Sequence, residues 1–133
     1  MAQIVSPSLL SANFGNLQED LKMINSSACE GLHIDIMDGV FVPNLSFGPP
    51  VLKYVAELCE KPLDVHLMVV EPMNYLPAVK DLGARIMNIH YEACTHLHRA
   101  VTQIKDAGMM AGVTLNPSTP VHLLKDIIHE LDL

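Results

Sequence analysis

The sequence predicts an α/β fold in which short strands alternate with helices around a parallel sheet. Two observations support this class. Short apolar stretches of strand length alternate with longer stretches whose apolar residues recur at helical spacing. A helical stretch separates each strand-type stretch from the next, as in the crossover connections between parallel strands. Half of the 133 residues are hydrophobic, which is enough to bury the core of one domain.

Five stretches are predicted as strands. In the first, Pro7 lacks the N–H that a central strand needs, which disfavours a central position for this stretch. The second and third alternate polar and aliphatic residues, which is typical of strands with one face packed on helices and the other lining a site. The predicted strands cover residues 4–9, 32–37, 63–69, 86–90 and 111–115, and residues 131–133 are predicted to begin a sixth.

Five helical stretches follow these strands in turn. Pro50 and Pro72 suit the first turns of the second and third helices, because a proline there removes no helical hydrogen bond. Gly108 suits the end of the fourth helix, and the pair Thr119 and Pro120 suits the start of the fifth. The apolar stripes of the five helices are Leu17, Leu21, Ile24; Val51, Leu52, Val55, Leu58; Met73, Leu76, Val79, Leu82; Leu97, Ala100, Val101, Ile104; and Leu123, Leu124, Ile127, Ile128.

Successive βα units imply right-handed crossovers, and eight of them close into a TIM-type barrel. A complete barrel needs about 250 residues, or about 200 at the small end. We therefore expect a single barrel domain over residues 1–133 that is incomplete at its C-terminus. It would contain about the first five βα units and the start of strand six.

Composition excludes several classes of function. The formal net charge of −7, with no cluster of Lys or Arg, argues against a nucleic-acid partner. No apolar stretch is long enough to span a bilayer and the N-terminus lacks signal-peptide features, so we expect a cytoplasmic protein with no membrane partner. Cys29, Cys59 and Cys94 share no metal-type or redox-type spacing and are expected to be reduced thiols.

The polar faces of the second and third strands predict a metal site. Side chains alternate along a strand, so His33 and Asp35 share one face of the second strand, and His66 lies on the corresponding face of the third. Two imidazoles and a carboxylate are a suitable ligand set for a divalent ion. Met37 and Met68 have the same parity as these ligands and are predicted to line the same pocket.

Three further polar residues lie near this predicted site. Asp64 shares the face of His66 but lies one layer deeper, so we interpret it as a structural or supporting residue. His90, with Glu92, falls at the carboxyl end of the fourth strand, where barrel active sites lie. A hydrogen-bonded core histidine is the simpler interpretation of His90, and a contact with the site is the alternative.

Four segments of the chain carry a family resemblance. They are residues 6–13 (SPSLLSAN), 33–44 (HIDIMDGVFVPN), 64–68 (DVHLM) and 112–117 (GVTLNP). With them, the sequence from about residue 4 to its end resembles the N-terminal part of the D-ribulose-5-phosphate 3-epimerases, which are TIM-barrel enzymes.

This resemblance implies an activity and a set of site residues. The activity is epimerisation at C3, which interconverts D-ribulose 5-phosphate and D-xylulose 5-phosphate through an enediolate. Asp35 would be one catalytic acid/base. The implied metal ligands are His33, Asp35 and His66, and the implied substrate contacts are Ser8, His66, Met37 and Met68.

The resemblance also implies partners and missing parts. The metal would be one divalent ion (Zn, Fe, Mn or Co), the substrate a phosphorylated ketopentose, and the assembly a homo-oligomer, either a dimer or a hexamer. The fourth ligand, which is also the second acid/base, would be an aspartate followed by two glycines on the seventh strand, and the loops after strands six to eight would bind the phosphate. Residues 1–133 contain no Asp-Gly-Gly motif.

Three alternatives remain open at this point. A hexulose-phosphate 3-epimerase, such as one acting on D-allulose 6-phosphate, would share the same histidine and aspartate motifs. The chain could instead be a non-catalytic barrel fragment, since five βα units leave two sheet edges open. A metal-dependent hydrolase is the third possibility, although the sequence offers no general base separate from the ligands.

Overall fold

Parallel strands alternate with helices in the computed structural model, which describes residues 4–133. Within these residues, four strands form one sheet in the order of the chain. The strands are β1 (Leu32–Met37), β2 (Leu63–Met68), β3 (Ile86–His90) and β4 (Met110–Thr114). The α-helices are α1 (Leu17–Ser26), α2 (Pro49–Leu58), α3 (Leu76–Asp81) and α4 (Leu97–Asp106). The predicted α/β class is confirmed.

One face of the sheet packs on the helices and forms the core. In β1 and β2 every second residue is buried, so the aliphatic side chains point towards the helices and the polar ones away from them. Ile34 and Leu67 are fully buried, as are Leu52 of α2 and Ile104 of α4. Burial of such a side chain contributes about 1.5–3 kcal/mol. The apolar face therefore orients the strands, and the polar face is left to carry the site.

The predicted strand over residues 4–9 is wrong. Ser8 makes only an isolated parallel bridge with His33, and a 3-10 turn follows at Leu9–Ser11. The N–H of His33 donates to the carbonyl of Pro7 at 2.9 Å, but Pro7 has no N–H with which to continue the ladder. A few hydrogen bonds nevertheless hold this segment beside β1, which is enough to bring Ser8 to the site.

The predicted fifth α-helix is also wrong. Two 3-10 turns, Val121–Leu124 and Ile128–Glu130, replace the predicted fifth α-helix. Leu124 is the one buried residue of its four-residue apolar stripe, and a helix without a packed face gains little stability. Residues 131–133 lie beside β4 without regular strand geometry. The N–H of Asp132 donates to the carbonyl of Ala111 at 2.9 Å, and the N–H of Val113 donates to the carbonyl of Leu133 at 3.1 Å.

The bounds of β1 and β3 are those predicted, and the bounds of β2 and β4 differ from prediction by one residue. Helix α2 begins at Pro49, and a 3-10 turn at Pro72–Tyr75 precedes the short α3. Gly108 follows α4 with a φ of +88°, as predicted for a glycine that ends a helix. In residues 4–133, no helix has the length and apolarity that crossing a membrane requires.

Candidate metal centre and active site

The register of β1 and β2 brings the predicted ligands together. It pairs Asp35 directly with His66, His33 with Asp64, and Met37 with Met68. One ligand atom from each of His33, Asp35 and His66 lies within 4.8 Å of the others. Residues that are 31 positions apart in the sequence thus become neighbours because two parallel strands align without a bulge.

The Asp35 carboxylate is the centre of this cluster. Its Oδ1 lies 3.1 Å from Nε2 of His33 and 3.0 Å from Nδ1 of His66. Its Oδ2 accepts a hydrogen bond from the Ser8 hydroxyl at 3.0 Å. Asp35 is only 13% exposed, so these three contacts replace most of its hydration. The sequence-predicted residues Ser8, His33, Asp35 and His66 therefore lie in one contact network.

His33 lies between two carboxylates. Its Nδ1 is 2.7 Å from Oδ2 of Asp64, while its Nε2 faces Asp35. The hydrogen bond to Asp64 is the largest cause of a raised pKa for His33, and burial opposes it. The other oxygen of Asp64, Oδ1, is buried and has no hydrogen-bond partner within residues 4–133. The supporting position predicted for Asp64 agrees with this contact.

His66 has a different neighbour, the imidazole of His90. The two Nε2 atoms lie 2.9 Å apart, and the rings stack with their centroids 5.0 Å apart. Burial is the largest cause of the lowered pKa of each ring. The ring of Phe41 covers His90, with centroids 4.8 Å apart. Burial therefore favours the neutral form of both stacked imidazoles.

Glu92 lies beyond His90 and extends this set of contacts to the next loop. Its Oε2 is 3.5 Å from Nδ1 of His90, which is too long for a good hydrogen bond. Its Oε1 accepts the N–H of Asn116 at 2.8 Å and the hydroxyl of Thr119. We call His66, His90 and Glu92 the His66 relay. The alternative interpretation of His90, contact with the site, agrees with the structure.

The loop after β1 is fastened to the strand by Ser46. The Ser46 hydroxyl donates to the carbonyl of Asp35 at 2.7 Å and accepts the N–H of Met37 at 3.0 Å. This residue therefore holds the backbone on both sides of Ile36, next to the central carboxylate. Nothing in the sequence pattern indicated it, because a serine in a loop rich in proline, glycine and asparagine is common.

Asp38 organises the turn at the carboxyl end of β1. Its Oδ1 accepts the N–H groups of Val40 and Phe41, both at 2.9 Å, and its Oδ2 accepts the N–H of Val70 at 2.7 Å. The hydrogen bond from Val70 is the largest cause of the lowered pKa of Asp38. Gly39 follows with a φ of +74°. Asp38 thus joins the chain after β1 to the chain after β2.

Residues 4–133 match the model of the Ribulose-phosphate 3 epimerase family. The chain belongs to this family. It is 46% identical over 129 residues to "Ribulose-phosphate 3-epimerase" of Bacillus subtilis. The aligned residues make up 97% of this chain and 59% of that protein. It is also 46% identical over 132 residues to "Ribulose-5-phosphate-3-epimerase, chloroplastic" of Arabidopsis thaliana, covering 98% of this chain and 47% of that protein.

A third relative, "Ribulose-phosphate 3-epimerase" of Synechocystis, is 43% identical over 132 residues, which make up 57% of its length. The chain therefore spans about half to three-fifths of the length of these curated relatives. Its four parallel strands alternating with helices over residues 4–133 are consistent with part of the TIM barrel of the epimerase family.

The donor set of this epimerase-family chain fits a divalent metal ion. Nε2 of His33, Nδ1 of His66 and Oδ1 of Asp35 converge on one region. The outer nitrogen of His33 is held by a carboxylate, as is usual for a histidine that ligates a metal. A mixed nitrogen and oxygen set of this kind suits several divalent ions.

The other histidines and the cysteines lie outside the cluster. His96, His98, His122 and His129 are exposed. Cys29, Cys59 and Cys94 are all free thiols, as predicted. Burial raises the pKa of Cys94 to about 11, so this thiol is a poor nucleophile at neutral pH.

Proposed function

We propose that the protein is a metal-dependent epimerase that interconverts D-ribulose 5-phosphate and D-xylulose 5-phosphate. The observation that carries this proposal is the convergence of His33 and His66 on the largely buried carboxylate of Asp35. The printed names of the relatives in Bacillus subtilis, Arabidopsis and Synechocystis support the choice of reaction. They also favour the pentose phosphate over the hexulose phosphate alternative.

Asp35 is proposed as an acid/base for the proton at C3. Epimerisation next to a carbonyl removes a proton from one face of the carbon and returns one to the other face, through a planar enediolate. The Ser8 hydroxyl and the two imidazoles fix the orientation of the Asp35 carboxylate. A carboxylate held in this way can take up a proton without first reorganising its surroundings.

His33, Asp35 and His66 are the proposed ligands of one divalent ion, with Zn, Fe, Mn and Co as candidates. When bound, such an ion would stabilise, as a Lewis acid, the negative charge that develops on the substrate oxygens. The ring nitrogens of His33 and His66 must present lone pairs for this purpose. Metal binding therefore depends on the hydrogen-bond partners of both rings as well as on the positions of the rings.

Ser8, His66, Met37 and Met68 are the proposed substrate contacts. Met37 and Met68 are paired in the register and lie on the same face as the ligands, one step closer to the carboxyl ends of the strands. Their thioethers offer a polarisable, water-poor wall on that side of the reacting carbon.

A second acid/base is required for the opposite face of the carbon. The family resemblance assigns it to an aspartate followed by two glycines, and residues 1–133 contain no such motif. The residues described here therefore account for one face of the reaction. We propose that they belong to one barrel domain, and the homo-oligomer implied by the resemblance stays a prediction that light scattering would check.

Isotope exchange tests the proposed function. D-ribulose 5-phosphate in D2O is incubated with the protein and a divalent metal, and the C3 proton and the appearance of xylulose 5-phosphate are followed by NMR. We expect exchange at C3 that depends on the metal, and exchange without epimerisation would show Asp35 acting on one face alone. Asp35→Asn should strongly reduce exchange, while Asp81→Asn, at an exposed aspartate of α3, should leave it unchanged. A folded, metal-bound protein with no exchange would contradict the proposal and favour a non-catalytic fragment.

A further inference from the structure

The His66 relay connects a proposed metal ligand to a carboxylate that the proposed reaction does not use. His66 contacts His90 through the two Nε2 atoms, 2.9 Å apart, and Nδ1 of His90 faces Oε2 of Glu92 at 3.5 Å. His90 is only 6% exposed. A buried imidazole pair of this kind must share its protons in a defined way, because each contact needs one donor and one acceptor.

Two proton arrangements are possible for a neutral pair. In the first, Nδ1 of His66 carries a proton and donates to Asp35. Its Nε2 then accepts from Nε2 of His90, and Nδ1 of His90 is left without a proton. A ring nitrogen without a proton cannot donate a hydrogen bond to a carboxylate. This arrangement agrees with the long distance to Glu92 and with the lack of any hydrogen-bond partner for Nδ1 of His90 in residues 4–133.

The second arrangement is the one that a metal ligand needs. If Nδ1 of His66 presents its lone pair to a cation, its Nε2 must keep the proton and donate it to Nε2 of His90. His90 then carries its proton on Nδ1, directed at Oε2 of Glu92. Each contact of the relay then has one donor and one acceptor, and a small approach of Oε2 to Nδ1, now 3.5 Å apart, would complete the last hydrogen bond. The ionised carboxylate of Glu92 is the group that favours this arrangement.

We propose that Glu92, acting through His90, is a positioning residue that selects the metal-binding tautomer of His66. This inference rests on the proposed function, because it assumes that His66 binds a divalent ion. His33 obtains the same support from Asp64 in a single step, at 2.7 Å. Each proposed histidine ligand is thus supported by a carboxylate: His33 by direct contact with Asp64, and His66 by Glu92 through the imidazole of His90.

The orientation of Glu92 is fixed independently of His90. The N–H of Asn116 and the hydroxyl of Thr119 both bond to Oε1, so Oε2 is the oxygen that faces the imidazole. In the variant Glu92→Gln, these two donors would hold the amide oxygen, and the amide NH2 would face Nδ1 of His90. A donor in that place favours an unprotonated Nδ1 on His90. The proton of His90 then lies on Nε2, which is the tautomer opposite to the one that metal binding by His66 needs.

Zinc affinity and histidine NMR test this inference. The affinity of the protein for Zn2+ alone is measured by competition with a chromophoric chelator, and 15N spectra of the histidine side chains report which nitrogen of His90 is protonated. We expect zinc to move the His90 proton from Nε2 to Nδ1, and Glu92→Gln to weaken zinc binding on the order of 10-fold. Glu57→Gln, at an exposed glutamate of α2, is the matched control and should bind zinc as the unaltered protein does.

The outcomes separate this inference from the proposed function. Zinc binding by the unaltered protein with an unchanged His90 tautomer, or with equal affinity in a folded Glu92→Gln variant, would overturn the role of Glu92 and leave the metal site standing. A failure of the unaltered protein to bind zinc would overturn both. If Glu92→Gln does not fold, as circular dichroism would show, the His90 tautomer in the unaltered protein still decides the question.

Discussion

The two histidines that flank Asp35 are held in different ways. His33 has a carboxylate on both sides, with Asp64 only 2.7 Å away, and the pKa of His33 is raised mainly by that hydrogen bond. His66 has a buried imidazole on its outer side, and burial lowers the pKa of His66. The imidazole of His33 thus favours its charged form, whereas the imidazole of His66, one strand away, favours its neutral form. The hydrogen bond to Asp64 thus sets the direction of the pKa shift of His33, whereas burial sets the direction for His66.

The largest expected effect comes from removing the group that the two histidines share. Asp35→Asn keeps the shape but removes the charge on which both rings converge. We expect C3 exchange to fall by about 100-fold to 10,000-fold, the usual contribution of a general acid/base. The NMR exchange assay measures this loss. Activity retained at the original level would show that another residue handles the proton.

A mutation on the apolar face of β2 tests whether the protein can lose stability without losing zinc affinity. Leu67 follows His66 on β2, points to the core and is fully buried. Leu67→Ala should lower the free energy of unfolding by about 2–5 kcal/mol, measured by urea titration. Leu67→Met, which conserves volume, should cost less than about 1.5 kcal/mol. If the folded Leu67→Ala variant also lost its zinc affinity, the two faces of β2 would not be independent.

Asp64→Asn tests how strongly the direct carboxylate contact supports His33, for comparison with the indirect support of His66. This change removes the charge that contacts His33 directly, without altering the size of the side chain. We expect zinc affinity to fall towards the upper end of about 10–100-fold, more than in Glu92→Gln, because no second ring intervenes. Chelator competition on both variants measures the difference. Equal losses would mean that the His66 relay supports its ligand as strongly as the direct contact does.

The smallest expected effect concerns the turn that joins the ends of β1 and β2. Hydrogen bonds, above all from Val70, lower the pKa of Asp38 in the folded protein. Its contribution to stability is therefore complete above the unfolded value of about 4 and is lost as the pH falls through the lower, folded value. Urea midpoints of the protein and of Asp38→Asn, measured from neutral to acidic pH, should differ at neutral pH and converge in acid. A constant difference would show that the charge of Asp38 has no part in holding the turn.

The parts of the fold that could be predicted are those in which the sequence pattern matches the final surroundings. Alternating residues in 32–37 and 63–68 identify both the apolar core face and the polar face, because each face meets one kind of environment. The proximity of His33, Asp35 and His66 was predictable for the same reason, since parallel pairing of two such strands brings their polar faces together.

The remaining parts depend on contacts that no local pattern carries. The stripe Leu123, Leu124, Ile127 and Ile128 has helical spacing, yet most of it meets no packing partner and 3-10 turns form instead. Glu92 reaches Asn116 and Thr119, which lie 24 and 27 positions further along the chain. Such loop-to-loop contacts follow from the sheet order, so they can be recognised only once the strands are in place.

The proposed metal centre is tested most directly by locating a bound metal ion. A crystal of the protein grown with zinc is measured at the zinc absorption edge, so that an anomalous difference map shows the ion. We predict one peak between β1 and β2, about 2.0–2.2 Å from Nε2 of His33, Nδ1 of His66 and a carboxylate oxygen of Asp35. A peak at another site, or no peak from crystals that contain zinc, would contradict the assignment of these three residues as the metal centre.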